Sequence, residues 1–155
     1  MDKKLIYMKE ALLEAQKAYD KNEVPVGAVV VLNDQIIARA HNNRETSQSI
    51  SGHAEFIALK KASEIIGSWR LEECEVYVTL EPCPMCAGAM IQSRIKALYY
   101  GTNDLKSGAV NSIIKMLDLP FNHKVYWESG ILADESKALL QSFFKELRKK
   151  KWISL

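Results

Sequence analysis

The chain has 155 residues, 48% of them apolar and 26% charged, with a formal net charge of +2. That composition is ordinary for a globular protein with one substantial core, and it excludes disordered and fibrous classes. A charge of +2 is too small to imply nucleic-acid binding through a uniform field, and three cysteines do not make a disulfide framework.

Leu5, Met8, Leu12, Ala15 and Tyr19 recur at helical spacing, which predicts an amphipathic helix ending near Asn22. Val26 to Leu32 and Gln35 to Ala40 read as strands joined by Asn33-Asp34, a pair that tolerates positive φ in a tight hairpin. His41 to Ser51 is polar and aperiodic, hence a loop. A helix from about His53 to Ile66 follows, then a strand over Glu75 to Thr79, a helix from about Pro84 to Ser93 and a strand over Ala97 to Gly101. Thr102 to Asn111 reads as loop, with a short helix near Ile113 to Leu117 and a short strand over Val125 to Trp127. A last helix runs from about Asp134 to Lys149, with Leu140, Phe143, Phe144 and Leu147 expected on its core face. One α/β domain with three layers around a mixed sheet is the expected architecture. No apolar run resembles a signal peptide or a membrane span, so a cytoplasmic protein is expected.

His53-Ala54-Glu55 and, further along, Pro82-Cys83-Pro84-Met85-Cys86 stand out from this background. They supply an imidazole and two thiols at metal-ligand spacing, with a carboxylate two residues from the imidazole. Zinc suits that donor set, and a catalytic zinc keeps three protein ligands and leaves a fourth position to water. H-x-E followed by P-C-x-x-C is the signature of zinc-dependent nucleobase deaminases. Pro84 fits the first position of a helix, which makes Cys83 its cap and puts both sulfurs at an electropositive helix start. Residues two apart on a helix point about 200° apart. His53 and Glu55 can therefore share a site only off the helix end, with Ser51-Gly52 available as cap residues. His53, Cys83 and Cys86 are thus the expected zinc ligands. Glu55 is the expected proton carrier between an activated water, a ring nitrogen and the departing ammonia. A structural zinc or a redox pair is the competing reading of a lone C-x-x-C, but a structural zinc needs a fourth ligand. Cys74, just ahead of an apolar strand, reads as a buried spectator, and His41 and His123 as loop or core-edge histidines.

Beyond the metal motif, several stretches resemble the bacterial tRNA-specific adenosine deaminases, in order and over nearly the whole chain. They are Glu23-Val24-Pro25-Val26-Gly27-Ala28-Val29, Ala40-His41-Asn42-Asn43-Arg44-Glu45, Gly67-Ser68-Trp69-Arg70-Leu71, Leu80 through Met90, Ser93-Arg94-Ile95, Phe121-Asn122-His123 and Phe143 through Arg148. The resemblance implies a cytidine-deaminase-like α/β/α fold with a five-stranded mixed sheet. It also implies a homodimer and conversion of the wobble adenosine of an arginine tRNA anticodon to inosine. By matching positions, Asn42 contacts the adenine and Val24 packs on base or ribose. The backbone at Ala54 and near Leu80-Glu81 lines the pocket, and Asp104 meets the sugar of the target nucleotide. Arg44 joins the substrate loop. Arg70, Arg94, Lys106, Lys145 and Arg148, with the basic run Lys149-Lys150-Lys151, are candidates for phosphate contacts with the anticodon stem-loop. The chain departs from the family pattern at Ser51-Gly52 and at Val110-Asn111. A deaminase of free guanine, cytosine or deoxycytidylate is the alternative enzyme, and a noncatalytic zinc-binding subunit the alternative of another class.

Overall fold

The computed structural model describes residues 2–153, with side chains to residue 150. Helix α1 (Lys3–Asp20) starts on the side chain of Asp2, which accepts the Lys4 N–H at 2.9 Å. Strands β1 (Gly27–Leu32) and β2 (Gln35–His41) form the expected hairpin, with Asn33 and Asp34 both at positive φ, 51° and 62°. Then follow helices α2 (Arg44–Ser47) and α3 (Ala54–Ile66), strand β3 (Glu75–Leu80), helix α4 (Pro84–Gln92) and strand β4 (Ala97–Thr102). Strand β5 (Tyr126–Glu128) and helix α5 (Ala133–Ile153) complete the chain. The sheet order is β2-β1-β3-β4-β5, antiparallel from β2 to β3 and parallel from β3 to β5. Helices α1 and α5 cover one face, α3 and α4 the other. The three-layer α/β/α architecture with a five-stranded mixed sheet is therefore observed. Among the described residues no helix is long and apolar enough to cross a membrane.

Three local expectations differ from the structure. The core face of α1 is Tyr7, Met8, Ala11, Ala15 and Ala18, one position round from the stripe through Leu5, Leu12 and Tyr19. The cause is Gly27, where an added Cβ would lie 2.0 Å from the carbonyl oxygen of Ala11. A helix seated that close on a strand can present only small side chains at the contact. The polar loop after β2 contains the one-turn helix α2, whose start is held by the remote carboxylate of Glu23. The short helix expected near Ile113 is a single 3-10 turn, Met116–Asp118.

The α3–α4 side carries the larger core, built from alanines on the helices and branched residues on the sheet. Ala54, Ala58 and Ala62 of α3 and Ala87 and Met90 of α4 close on Val30, Val76, Val78, Leu98 and Tyr100 of the sheet. Their burial fixes both helices rigidly at the carboxyl end of β3. The amino ends of α3 and α4 converge there.

Candidate metal centre and cleft

His53 is the cap of α3, in extended backbone (φ −98°, ψ 138°), with Ala54 as the first helical residue. That placement resolves the facing problem: the imidazole leaves the chain before the helical turn begins, and Glu55 leaves within it. The cap residue is thus His53 itself rather than Ser51 or Gly52. Gly52 has another task, since a Cβ there would sit 2.5 Å from Cα of Arg44, so it admits the close approach of α2. Cys83 caps α4 in extended backbone (φ −76°, ψ 174°), Pro84 opens the helix and Cys86 lies in its first turn.

The His53 Nδ1 lies 3.5 Å from the Sγ of Cys83 and 3.5 Å from the Sγ of Cys86. All three donor atoms fall within 4.8 Å of one another. With Zn–N near 2.0–2.1 Å and Zn–S near 2.3 Å, a tetrahedral ion spans an N···S edge of about 3.5–3.6 Å. The group fits a metal ion of that kind. The electrostatics agree. A hydrogen bond from the Cys86 thiol, followed by one from His53, holds the Cys83 thiol down at about 4 despite burial. Cys86 is pushed up by the bond it donates to Cys83 and by burial. The pair thus shares one proton, which a bound cation would displace. His53 is raised, chiefly by its contact with Cys83.

Glu55 is buried, and burial lifts its carboxyl to about 7. It lines the same cavity, of about 810 Å³, as His53 and Cys83. Val24, Asn42, Arg44, Asp104 and Lys106 line this cleft as well. Asn42 Oδ1 accepts the Ala54 N–H at 2.8 Å, supplying α3 with the cap that His53 does not. The main-chain N–H of Ala54 is thereby engaged, and Ala54 itself is fully buried instead of lining the cleft.

The other expected residues divide. Arg148 lines the cleft, with Lys137, Gln141 and Phe144 along one face of α5. Phe143 is buried against Tyr19, as expected of a core residue, but Phe144 is 39% exposed and faces the cleft. Lys145 is exposed on α5 and does not line the cleft. The side chain of Lys151 lies outside the described residues. Arg70 and Arg94 are elsewhere, their guanidinium carbons 4.7 Å and 5.9 Å from the centre of the Trp69 ring. Arg94 also caps α4 by donating to the carbonyl of Ile91, and Arg70 pairs with Glu72. Cys74 is buried, and His123 Nε2 lies 2.8 Å from the Ile95 carbonyl, both as expected.

Three buried glutamates have side-chain roles that the sequence did not announce, although Glu23 and Glu81 fall within stretches that carry the resemblance. Glu14 accepts from Lys17, Arg39 and His41. Glu23 accepts the N–H of Glu45 and of Thr46, and the Thr46 hydroxyl, which fixes α2. Glu81 accepts four backbone N–H groups and a hydroxyl from the segment after β4. In Glu23 and Glu81 burial pushes the carboxyl up, and the donated hydrogen bonds together bring it below its ordinary value.

A family model described as MafB19-like deaminase matches residues 1–148. A tRNA-specific adenosine deaminase of Bacillus subtilis (strain 168) is 50% identical over 147 residues, covering 94% of this chain and 91% of the relative. One of Rickettsia felis is 47% identical over 146 residues, covering 91% and 100%. A solved structure from a study of A-to-I editing by tRNA:A34 deaminases at the wobble position superimposes with a TM-score of 0.85. It is 41% identical and covers 87% of this chain and 99% of that one. Likeness of this extent, on a chain whose two helix starts bring together the donor set such enzymes need, makes it a member of the MafB19-like deaminases, within the group of tRNA-specific adenosine deaminases.

Proposed function

We propose that this chain is a single-domain zinc hydrolase that converts adenosine to inosine at the wobble position of a tRNA anticodon. The observation that carries the reading is the His53 Nδ1 held 3.5 Å from both sulfurs, with the Glu55 carboxyl in the same cleft. His53, Cys83 and Cys86 would hold the zinc. When bound, zinc lowers the pKa of a coordinated water from 15.7 to about 7, so that a nucleophile exists at neutral pH.

Glu55 then does the proton work. Its carboxylate takes a proton from the attacking water and delivers it to N1 of the purine while the water oxygen bonds to C6. A second proton, also carried by Glu55, goes to the exocyclic nitrogen. The C6–N bond breaks, ammonia leaves, and the carbonyl of inosine remains. Burial raises the proton affinity of the Glu55 carboxyl, which suits a group that must both take and give a proton.

Asn42 spends its carbonyl oxygen on Ala54, so the group it offers a base is its amide N–H₂, suited to an acceptor atom of the purine. Val24 would offer an apolar surface to base or ribose, and Asp104 would meet the sugar; that both line the cleft supports this reading. Arg44, Lys106, Lys137 and Arg148 rim the cleft and suit phosphates on either side of a splayed nucleotide. Lys145, Arg70 and Arg94 would meet RNA only beyond the cleft. We also assign the protein to the cytoplasm and to a homodimer; Ile50, Ile65 and Ile113 leave apolar surface exposed that a second copy could cover.

The test is incubation of the purified protein with an anticodon stem-loop carrying adenosine at the wobble position. Inosine is read by mass spectrometry and ammonia release is compared with that from free guanine, cytosine and deoxycytidylate. Inosine in the stem-loop is expected. Turnover of the free compounds with none of the stem-loop would overturn the assignment.

A further inference from the structure

We infer that Glu81 is a positioning residue that locks the wall of the cleft formed by residues 103–107 to the start of the metal-bearing helix α4. The proposal rests on the function proposed above and extends it to how the target nucleotide is held.

Glu81 stands two residues before Cys83, is 2% exposed, and aims its carboxylate back into the segment after β4. Oε1 accepts the Asp104 N–H at 2.9 Å and the Ser112 hydroxyl. Oε2 accepts the N–H groups of Val110, Asn111 and Ser112 at 3.0, 2.7 and 3.0 Å. All five donors come from residues 104–112. That stretch contains no helix or strand, so no ladder anchors it to the sheet. The tip of the segment is a turn closed on Asp104, which accepts the N–H groups of Lys106 and Ser107 on its side chain and that of Gly108 on its carbonyl. What ties this turn to the rest of the molecule is the Glu81 carboxylate, whose own burial would be costly without these donors.

Two further contacts tighten the arrangement. The Ala109 N–H donates to the Pro82 carbonyl at 2.8 Å, joining the loop to the residue between Glu81 and Cys83. Gly108 lies so close that an added Cβ would sit 2.2–2.4 Å from the Glu81 carboxyl atoms. The loop's outer part, Asn103 to Ser107, lines the same cleft as Val24 and Asn42. One carboxylate thereby sets the distance between the metal ligands and the wall expected to meet the sugar. Asn111 takes part through its main chain and outside the left-handed region, so it serves here without glycine's freedom.

The experiment compares wild type, Glu81→Gln and Ser112→Ala. It measures zinc stoichiometry, kcat and KM on the anticodon stem-loop, and hydrogen–deuterium exchange along the chain. Glutamine keeps the shape but turns one acceptor into a donor facing N–H groups. The expected result for Glu81→Gln is a KM raised about tenfold, with kcat within about twofold, metal retained, and faster exchange confined to residues 104–112. Ser112→Ala, which removes only the hydroxyl, should raise KM about two- to threefold with the same local exchange, and carries the test if Glu81→Gln does not fold. Unchanged exchange in 104–112, or a loss of kcat and zinc together with no separate rise in KM, would overturn the proposal. If wild type itself leaves the stem-loop untouched, the assigned function fails, while the exchange data still decide whether Glu81 holds the loop.

Discussion

Replacing Glu14 by glutamine should cost stability in a way that pH reveals. Glu14 is buried on α1 and receives Lys17 Nζ at 2.7 Å, Arg39 Nε at 2.9 Å and His41 Nδ1 at 3.0 Å. Burial alone would raise its carboxyl; the hydrogen bonds from His41 and Lys17 and the charges of Lys17 and Arg39 outweigh it and hold the group at about 2, against an ordinary 4.5. That difference corresponds to about 3 kcal/mol. Lys17 and Arg39 are half exposed, so solvent screening leaves about 2 kcal/mol. For a chain of this length the loss lowers Tm by about 4–8 °C. Because the folded pKa is depressed, the stabilisation is complete above about 4.5 and fades as pH falls towards 2. Thermal melts of both proteins from pH 7 to pH 3 should show a constant gap down to about pH 5 that narrows below it. A gap absent at pH 7, or one that widens on acidification, would refute the reasoning. The site is affected too, since His41 ends β2 immediately before Asn42.

Glu55→Gln should lower kcat by at least about 10²-fold while zinc stays stoichiometric, measured by inosine formation beside elemental analysis. Cys86→Ser, or a strong chelator on the wild type, should remove the metal and with it all turnover; retained activity in metal-free protein would contradict the centre. Arg148→Ala should raise KM for the stem-loop with little change in kcat and reduce the slope of log KM against log salt by about one phosphate contact.

The hairpin and the two helix starts were legible because their signals are local. Asn33-Asp34 needs only its own φ angles, and Cys83-Pro84 carries its capping geometry in adjacent letters. The conflict between His53 and Glu55 was legible as well, since helical periodicity alone demands that one of them stand outside the helix. What escaped was of longer range. Glu23 reaches 23 residues to Thr46, and Glu81 reaches 31 to Ser112, so neither leaves a periodic trace. The helix α2 escaped for the same reason, its first N–H groups being satisfied by a side chain from another part of the chain. On α5 the expected core face holds for Phe143 and in part for Leu140, but Phe144 and Leu147 are 39% and 38% exposed, because periodicity cannot distinguish a face covered by protein from one left open. Phe143 took the first environment and Phe144 the second.

At Gly27 the sheet meets the main chain of α1 directly, at Ala11 and Ala15, with only the Glu14 Cβ beside the contact. A seam of that kind behaves as a fixed datum: a single methyl added there would have to lift an entire layer of the molecule. The depth at which β1 delivers the residues leading into the cleft is therefore set by contact of backbone on backbone and not by the choice of side chain.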